Sequence, residues 1–309
     1  MASTYPSPPP RNDIVRGIAL RCGSVLGYAA MSAFMKTAAT YGDVTAIEMM
    51  FYRSVFGLPV VLLWLALGPG IGMIRTRRPL AHLSRSALGI AGILLNLQTL
   101  ILLPLATATT IGFSAPIFAT ILSALILSEK IGRHRWAAVV IGFAGIALVM
   151  RPGGGAALPA AGVACAIFGA LGTASVAITL RRIGGTEHPG GIVFWFFTCS
   201  AVVGGIGTFF VGSWHGWPVM ALLLGGGVAG AFMQLLVTMS LQVAPVSAIA
   251  PFDYTQIIWA TLLDWLIWSD APTLTTIGGA SLIVASGIYT GVREHRIRKA
   301  EIQATPLLE

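Results

Sequence analysis

Charge is what this chain has least of. Only 10% of its 309 residues are Asp, Glu, Lys or Arg, whereas a soluble domain carries about 25% to keep its surface solvated. A water-facing globular fold is therefore excluded. Cysteine is scarce as well: Cys22, Cys165 and Cys199 stand far apart in apolar runs, match no zinc spacing and form no disulfide framework. The chain has no Gly-Lys dipeptide, hence no Walker A lysine and no nucleotide-driven pump of its own. It has no HExxH, and its five histidines (His82, His134, His188, His215 and His295) fall in expected connections or the tail. That speaks against an intramembrane metalloprotease, and no cofactor or metal is expected. The alternating ten-residue segments of a transmembrane β-barrel are missing too.

What is present is apolar sequence in long, continuous runs: 56% of residues are hydrophobic and the mean hydropathy is +0.83. Crossing a bilayer takes about 20 mostly apolar residues. Runs at 14–40, 44–68, 136–150, 158–180, 191–211 and 273–292 each supply one span. Those at 87–127 and 217–268 are twice that length and break at Pro104 and near Gln242 to Pro245, which makes ten spans in all. The net charge of +8 does not mark a nucleic-acid surface, because the basic residues sit in short connections. With a cytoplasmic N-terminus, sixteen of the nineteen Lys and Arg fall on the inside, leaving only Lys36, Arg53 and Arg151. A miscounted span would destroy this positive-inside bias. Both termini are expected in the cytoplasm of a bacterial-type inner membrane, residues 1–13 as a disordered, retained tail and 293–309 as a second tail.

The chain also repeats itself. Setting Glu129 on Asp270 places Pro104 on Pro245, Ala119 on Ala260, Thr120 on Thr261, Leu125 on Leu266 and Ser128 on Ser269. With a one-residue slip Gly145 meets Gly287. Halves of five spans, 14–151 and 158–292, follow. An odd number of spans per repeat inserts the second half upside down. The expected fold is an all-α membrane protein of ten transmembrane helices as two inverted five-helix repeats, an arrangement typical of secondary transporters with a midplane site.

On these residues a family resemblance rests. The segment ATATTIGFSAPIFATILSALILSEKIGRHRWAAVVIGFAGIALV resembles the end of the first repeat of EamA-type transporters, of the drug/metabolite transporter superfamily. APFDYTQIIWATLLDWLIWSDAPTLTTIGGASLIVASG resembles the matching part of the second, and Glu48 with Arg53 downstream fits the start of their second helix. At Asp270 the family usually has Glu. The resemblance implies a ten-helix carrier with a central cavity, often an exporter of amino acids or related metabolites, driven by gradients. It does not fix a substrate.

Charges inside a bilayer each cost at least about 2.5 kcal/mol, so each needs a partner or a wet cavity. Asp253 and Asp264, eleven residues apart, fall on one face of the ninth span about 16 Å apart. With Gln256 and Tyr254 they make a polar stripe that must face the bundle interior. The carboxylates bind a cationic group or a proton, or Asp253 pairs with a neighbouring polar group and holds two helices together; the residues leave both open. Lys36, Glu48 and Arg53 suggest an outer charge cluster, either a gate with Arg53 as anion ligand or a structural ion-pair knot. Asn96, Gln98 and Thr99 bind substrate or serve as polar glue between helices. Trp259, Phe113 and Phe118 line a cavity or pack. Trp214, Trp217, Trp265 and Trp268 read as interface-belt residues. Pro116 and Pro251 are expected to kink their helices, and Gly23/Gly27 and Gly226/Gly230 to let helices pack closely.

The function expected is a permease that moves a small polar metabolite, an amino acid or derivative, by alternating access, with a proton as candidate coupling ion and no enzymatic activity. Its partners are the solute and the bilayer. A non-transporting scaffold and a lipid-processing membrane enzyme are the alternatives. Oligomeric state and transport direction are not set by the sequence.

Overall fold

The computed structural model describes residues 11–76, 78–127, 133–149, 158–183, 188–244 and 249–304. Ser128, Glu129, Arg151 and Pro245, used above, lie outside them. Among the described residues the chain is helical, with no strand: α1 Arg11–Gly42, α2 Ala46–Leu67, α3 Pro79–Leu102, α4 Leu105–Gly112, α5 Ala115–Leu127, α6 Arg133–Val149, α7 Ala160–Ile183, α8 Pro189–Val211, α9 Trp217–Val243, α10 Thr255–Trp268 and α11 Leu274–Ala304. Short 3-10 turns cover Ile71–Ile74 and Ala250–Tyr254. Five helices are long and apolar enough to cross a bilayer by length and composition: α1, α2, α3, α8 and α9.

The ten expected spans all have helical counterparts, two of them broken. The fourth is α4 plus α5, interrupted at Phe113 and Ser114, where the Ser114 hydroxyl donates to the Ile111 carbonyl (2.6 Å). In the ninth, the 3-10 turn Ala250–Tyr254 lies between helical Ile249 and α10, so Asp253 precedes the α-helix that carries Asp264. This corrects the continuous helical stripe: Pro251 is within that turn, and proline lacks the N–H an α-helix interior needs. The histidine expectation is corrected as well. His82 is buried on α3 and His134 lies on α6, because both helices begin earlier than their apolar runs.

Packing pairs helices from opposite halves of the sequence. The most extensive contacts are α1 with α9, α3 with α7, α6 with α11, and α2 with both α8 and α9. Small residues permit this. A β-carbon on Gly27 would stand 3.2 Å from Met233 Cβ, and one on Gly279 would stand 2.6 Å from the Gly145 carbonyl oxygen. Gly23, Gly27, Gly226 and Gly230 all lie in the α1–α9 contact, where Gly226 meets Met35 and Gly230 meets Met31. Without a hydrophobic drive between helices in lipid, such close approach supplies the dispersion energy that holds them.

Candidate functional site

Among the described residues three carboxylates stand inside the helical bundle, and each is committed. Asp264 on α10 is 1% exposed. Its Oδ1 accepts from the Leu105 amide (2.9 Å) and its Oδ2 from the Ala106 amide (2.6 Å). These are the first amides of α4, which have no partner within their own helix, and the positive end of the helix favours an anion there. Lys36 on α1 completes the knot: its Nζ is 3.2 Å from Asp264 Oδ1, donates to the Leu103 carbonyl at 3.2 Å and lies 4.7 Å from the Trp268 ring. Trp268 thus serves as a cation–π floor, not as a belt residue, whereas Trp214, Trp217 and Trp265 are exposed.

Asp253 takes a bidentate pair from Arg21 of α1, one bond joining Nε to Oδ1 and the other Nη2 to Oδ2 at 2.6 Å. Between the two pairs, Tyr28 lies beside Ser32 and Gln256. Arg21, Tyr28 and Lys36 are seven and eight residues apart, which returns them to nearly one face of α1. A polar seam therefore joins α1 to the 253–264 segment along its whole length. Tyr254 turns the other way, its ring 5.2 Å from that of Phe113 at the C-terminus of α4. The short helix α4 is accordingly held at both ends by one segment, with Asp264 at its start and Tyr254 at its finish.

Glu48 is fully buried and joins two connections. Its Oε2 accepts from the Thr45 amide and hydroxyl (both 2.8 Å), closing a capping box on α2. Its Oε1 accepts from the Ser213 amide and meets His215 Nε2, both at 2.9 Å. Arg53 is 2% exposed and has no carboxylate among its described contacts. Its Nε meets Met31 Sδ at 3.2 Å, its guanidinium lies 5.1 Å from the Phe197 ring, and Tyr28 is nearby. Lys36, Glu48 and Arg53 are thus placed in three separate sets of contacts, with Lys36 alone joined to Asp264.

The remaining candidates sort by contact. Asn96 donates to the Thr173 hydroxyl at 3.4 Å and faces Gly169, joining α3 to α7. The Thr99 hydroxyl returns to the Leu95 carbonyl (2.8 Å). Gln98 and Trp259 are half-buried, and Phe118 packs edge-on against Phe143. Sequence reasoning assigned Arg21 and Arg85 to the cytoplasmic side and named no partner for Glu48. The structure gives Arg21 to Asp253, His215 to Glu48, and places Arg85 buried on α3 over Phe196.

Known proteins carry this architecture. A solved crystal structure with a TM-score of 0.64 covers 91% of this chain and 98% of its own, and at 18% identity it shows the fold alone. The S-adenosylmethionine uptake transporter of Rickettsia prowazekii is 26% identical over 79% of this chain and 82% of its own length. The pseudopaline exporter CntI of Pseudomonas aeruginosa is 25% identical over 88% and 94%, and the riboflavin transporter of Rhizobium johnstonii 27% over 74% and 75%. The EamA-like transporter family matches residues 15–151 and again 160–291. This multi-pass helical membrane protein, whose family members are transporters and not enzymes, belongs to the EamA-like transporter family.

Proposed function

We propose that this protein is a secondary carrier for a small polar metabolite, working by alternating access in a bacterial-type inner membrane with both termini in the cytoplasm. The observation that carries the mechanism is the clamping of α4 by the 250–268 segment, through Asp264 at one end and Tyr254 against Phe113 at the other. A path to either side opens by releasing one clamp while the other stays closed. Gln256 lies in the α1 seam beside Tyr28, within reach of a solute held near Tyr28 and Arg53, and the Asp253–Arg21 pair bounds that space on one side. A proton on Asp264 would weaken its hold on both Lys36 and the α4 amides, which makes it the candidate coupling group.

The residues 14–151 and 158–292 are proposed to be inverted repeats. Two features support this: the family matches the chain twice, and the helix contacts exchange when each span is replaced by the one five further on. Thus the α1–α9 contact answers to α7–α3, and the α1–α10 contact to α7–α5. The bodies that move are then α1 with α9 and α10 against α3, α4, α5 and α7, not the two halves of the sequence.

Relatives named for S-adenosylmethionine, pseudopaline and riboflavin define a first panel of cargo, with amino acids added. In proteoliposomes, saturable uptake of one class is expected, and Asp264→Asn should reduce its rate by at least tenfold while the protein remains monodisperse. A folded protein that moves none of the panel, with Asp264→Asn indistinguishable from wild type in stability, would favour the scaffold reading.

A further inference from the structure

Two helices of this protein carry the same pentapeptide pattern, Arg-Ser-x-x-Gly: Arg53 to Gly57 on α2 and Arg85 to Gly89 on α3. Each pattern receives one of two consecutive phenylalanines of α8. The Arg53 guanidinium lies 5.1 Å from the Phe197 ring, and a β-carbon on Gly57 would stand 2.5 Å from Phe197 Cε1. The Arg85 guanidinium lies 4.6 Å from the Phe196 ring, and a β-carbon on Gly89 would stand 2.8 Å from Phe196 Cε2. In both cases the arginine covers the ring and the glycine, one helical turn on, admits its edge. The two rings are 6.0 Å apart and edge-on, so the two guanidiniums flank one turn of α8.

Stacking occupies the face of a guanidinium and leaves its N–H edge free. Arg53 Nη1, and Arg85 Nε and Nη1, are buried with no hydrogen-bond partner among the described residues, and the two side chains belong to residues 2% and 6% exposed. Among the described residues the carboxylates inside the bundle are already taken: Asp253 by Arg21, Asp264 by Lys36 and the α4 amides, Glu48 by Thr45, Ser213 and His215. An unpaired buried cation is strongly unfavourable in protein and more so in a bilayer. Cation–π contact offsets only a small part of that. The missing counter-charge points to a ligand.

We propose that Arg53 and Arg85 are the anion-recognising residues of the cargo site and that the cargo carries a carboxylate or phosphate group. This rests on the carrier reading above and narrows its substrate class. The planar fork of arginine fits either oxyanion through paired N–H donors, which a lysine would not supply. The Ser86 hydroxyl, buried without a partner beside Arg85, offers a further donor. An anion bound at either station draws the guanidinium edge towards itself while the ring contact keeps α8 in register.

The test is binding, measured separately from flux. Full-length protein in phosphatidylcholine nanodiscs is titrated at fixed ionic strength with succinate, inorganic phosphate or spermidine, and its melting temperature is followed. A saturable rise with at least one anion and none with spermidine is expected, since a ligand of the folded state alone stabilises it. Arg53→Gln and Arg85→Gln should each raise the half-saturating concentration at least tenfold, and the exposed loop variant Arg75→Gln should leave it unchanged. Without anion, Arg85→Gln should melt at or above wild type, because it removes an unpaired charge. The proposal is overturned if Arg85→Gln melts several degrees lower and responds to anions like wild type, which would make the stack purely structural. A rise seen only when phosphatidylglycerol replaces phosphatidylcholine would assign the guanidiniums to lipid headgroups and also overturn it. A rise with spermidine alone would sink the anionic cargo while leaving the carrier intact.

Discussion

Asp264 satisfies four demands with two oxygens: it answers Lys36, caps two amides of α4 and closes the contact between α4 and α10. Breaking a buried pair by removing one partner costs about 3–5 kcal/mol, because the survivor is left charged and unpaired. Lys36→Met and Asp264→Asn should therefore each destabilise the protein strongly, and the double variant should recover part of the loss. An interaction energy of about 1–3 kcal/mol is expected from a double-mutant cycle read by SDS unfolding; additive losses would show that the two side chains do not depend on each other. Charges set in apolar sequence are conspicuous, so Lys36, Glu48, Arg53, Asp253 and Asp264 all stand out in the sequence as groups that need a partner inside the bundle. Their partners were not, since Arg21 to Asp253 and Glu48 to His215 join positions far apart in the chain. Arg85 escaped because it precedes its apolar run and reads as loop. The signal that would have found it is the repeated Arg-Ser-x-x-Gly pattern.

At the scale of elements, proline decided what periodicity could not. Pro116 and Pro251 sit inside apolar runs and suggest kinks in continuous helices, yet each falls in the first turn of a new segment. There the missing N–H has no helical partner to lose, and the fixed φ favours helix entry. Hence spans four and nine are each interrupted, and the break in one faces the break in the other through Phe113 and Tyr254. Small residues decide how closely other helices meet. In the α6–α11 contact a β-carbon on Gly279 would lie 2.6 Å from the Gly145 carbonyl oxygen, and one on Gly145 would lie 2.9 Å from that of Gly279. Backbone cannot yield as a side-chain tip does, so Gly279→Ala should cost about 1–3 kcal/mol by overpacking. Gly72→Ala, where a β-carbon meets nothing within 4 Å, is the control and should unfold with wild type in the same SDS titration. Equal midpoints for the two variants would mean that α6 and α11 separate without loss.

The whole molecule combines what the sequence announces with what it conceals. Hydropathy and the internal alignment lead to an all-helical membrane protein whose two segments, 15–151 and 160–291, each match the family. They do not reveal that the largest contacts run between those halves, because apolar faces look alike whichever helix they meet. That interleaving matters for movement: α1 packs on α9 and α10, and α4 packs on α10 as well as on α7 and α3, so the proposed motion has to pass through α4. If the two clamps on α4 are the gates, releasing each should expose the interior to a different side. With Cys22, Cys165 and Cys199 replaced by serine, a single Gln256→Cys reports on the space beside Tyr28. Asp264→Asn should raise its labelling by an impermeant maleimide several-fold from the face at the C-terminal end of α1. Tyr254→Ala should raise it from the opposite face. Labelling that increases from one side in both variants would mean that the clamps belong to a single barrier. Labelling unchanged in both would mean that they bear on no barrier at all, and the motion would have to be sought where α2 meets α8, the contact in which the Arg53 stack lies.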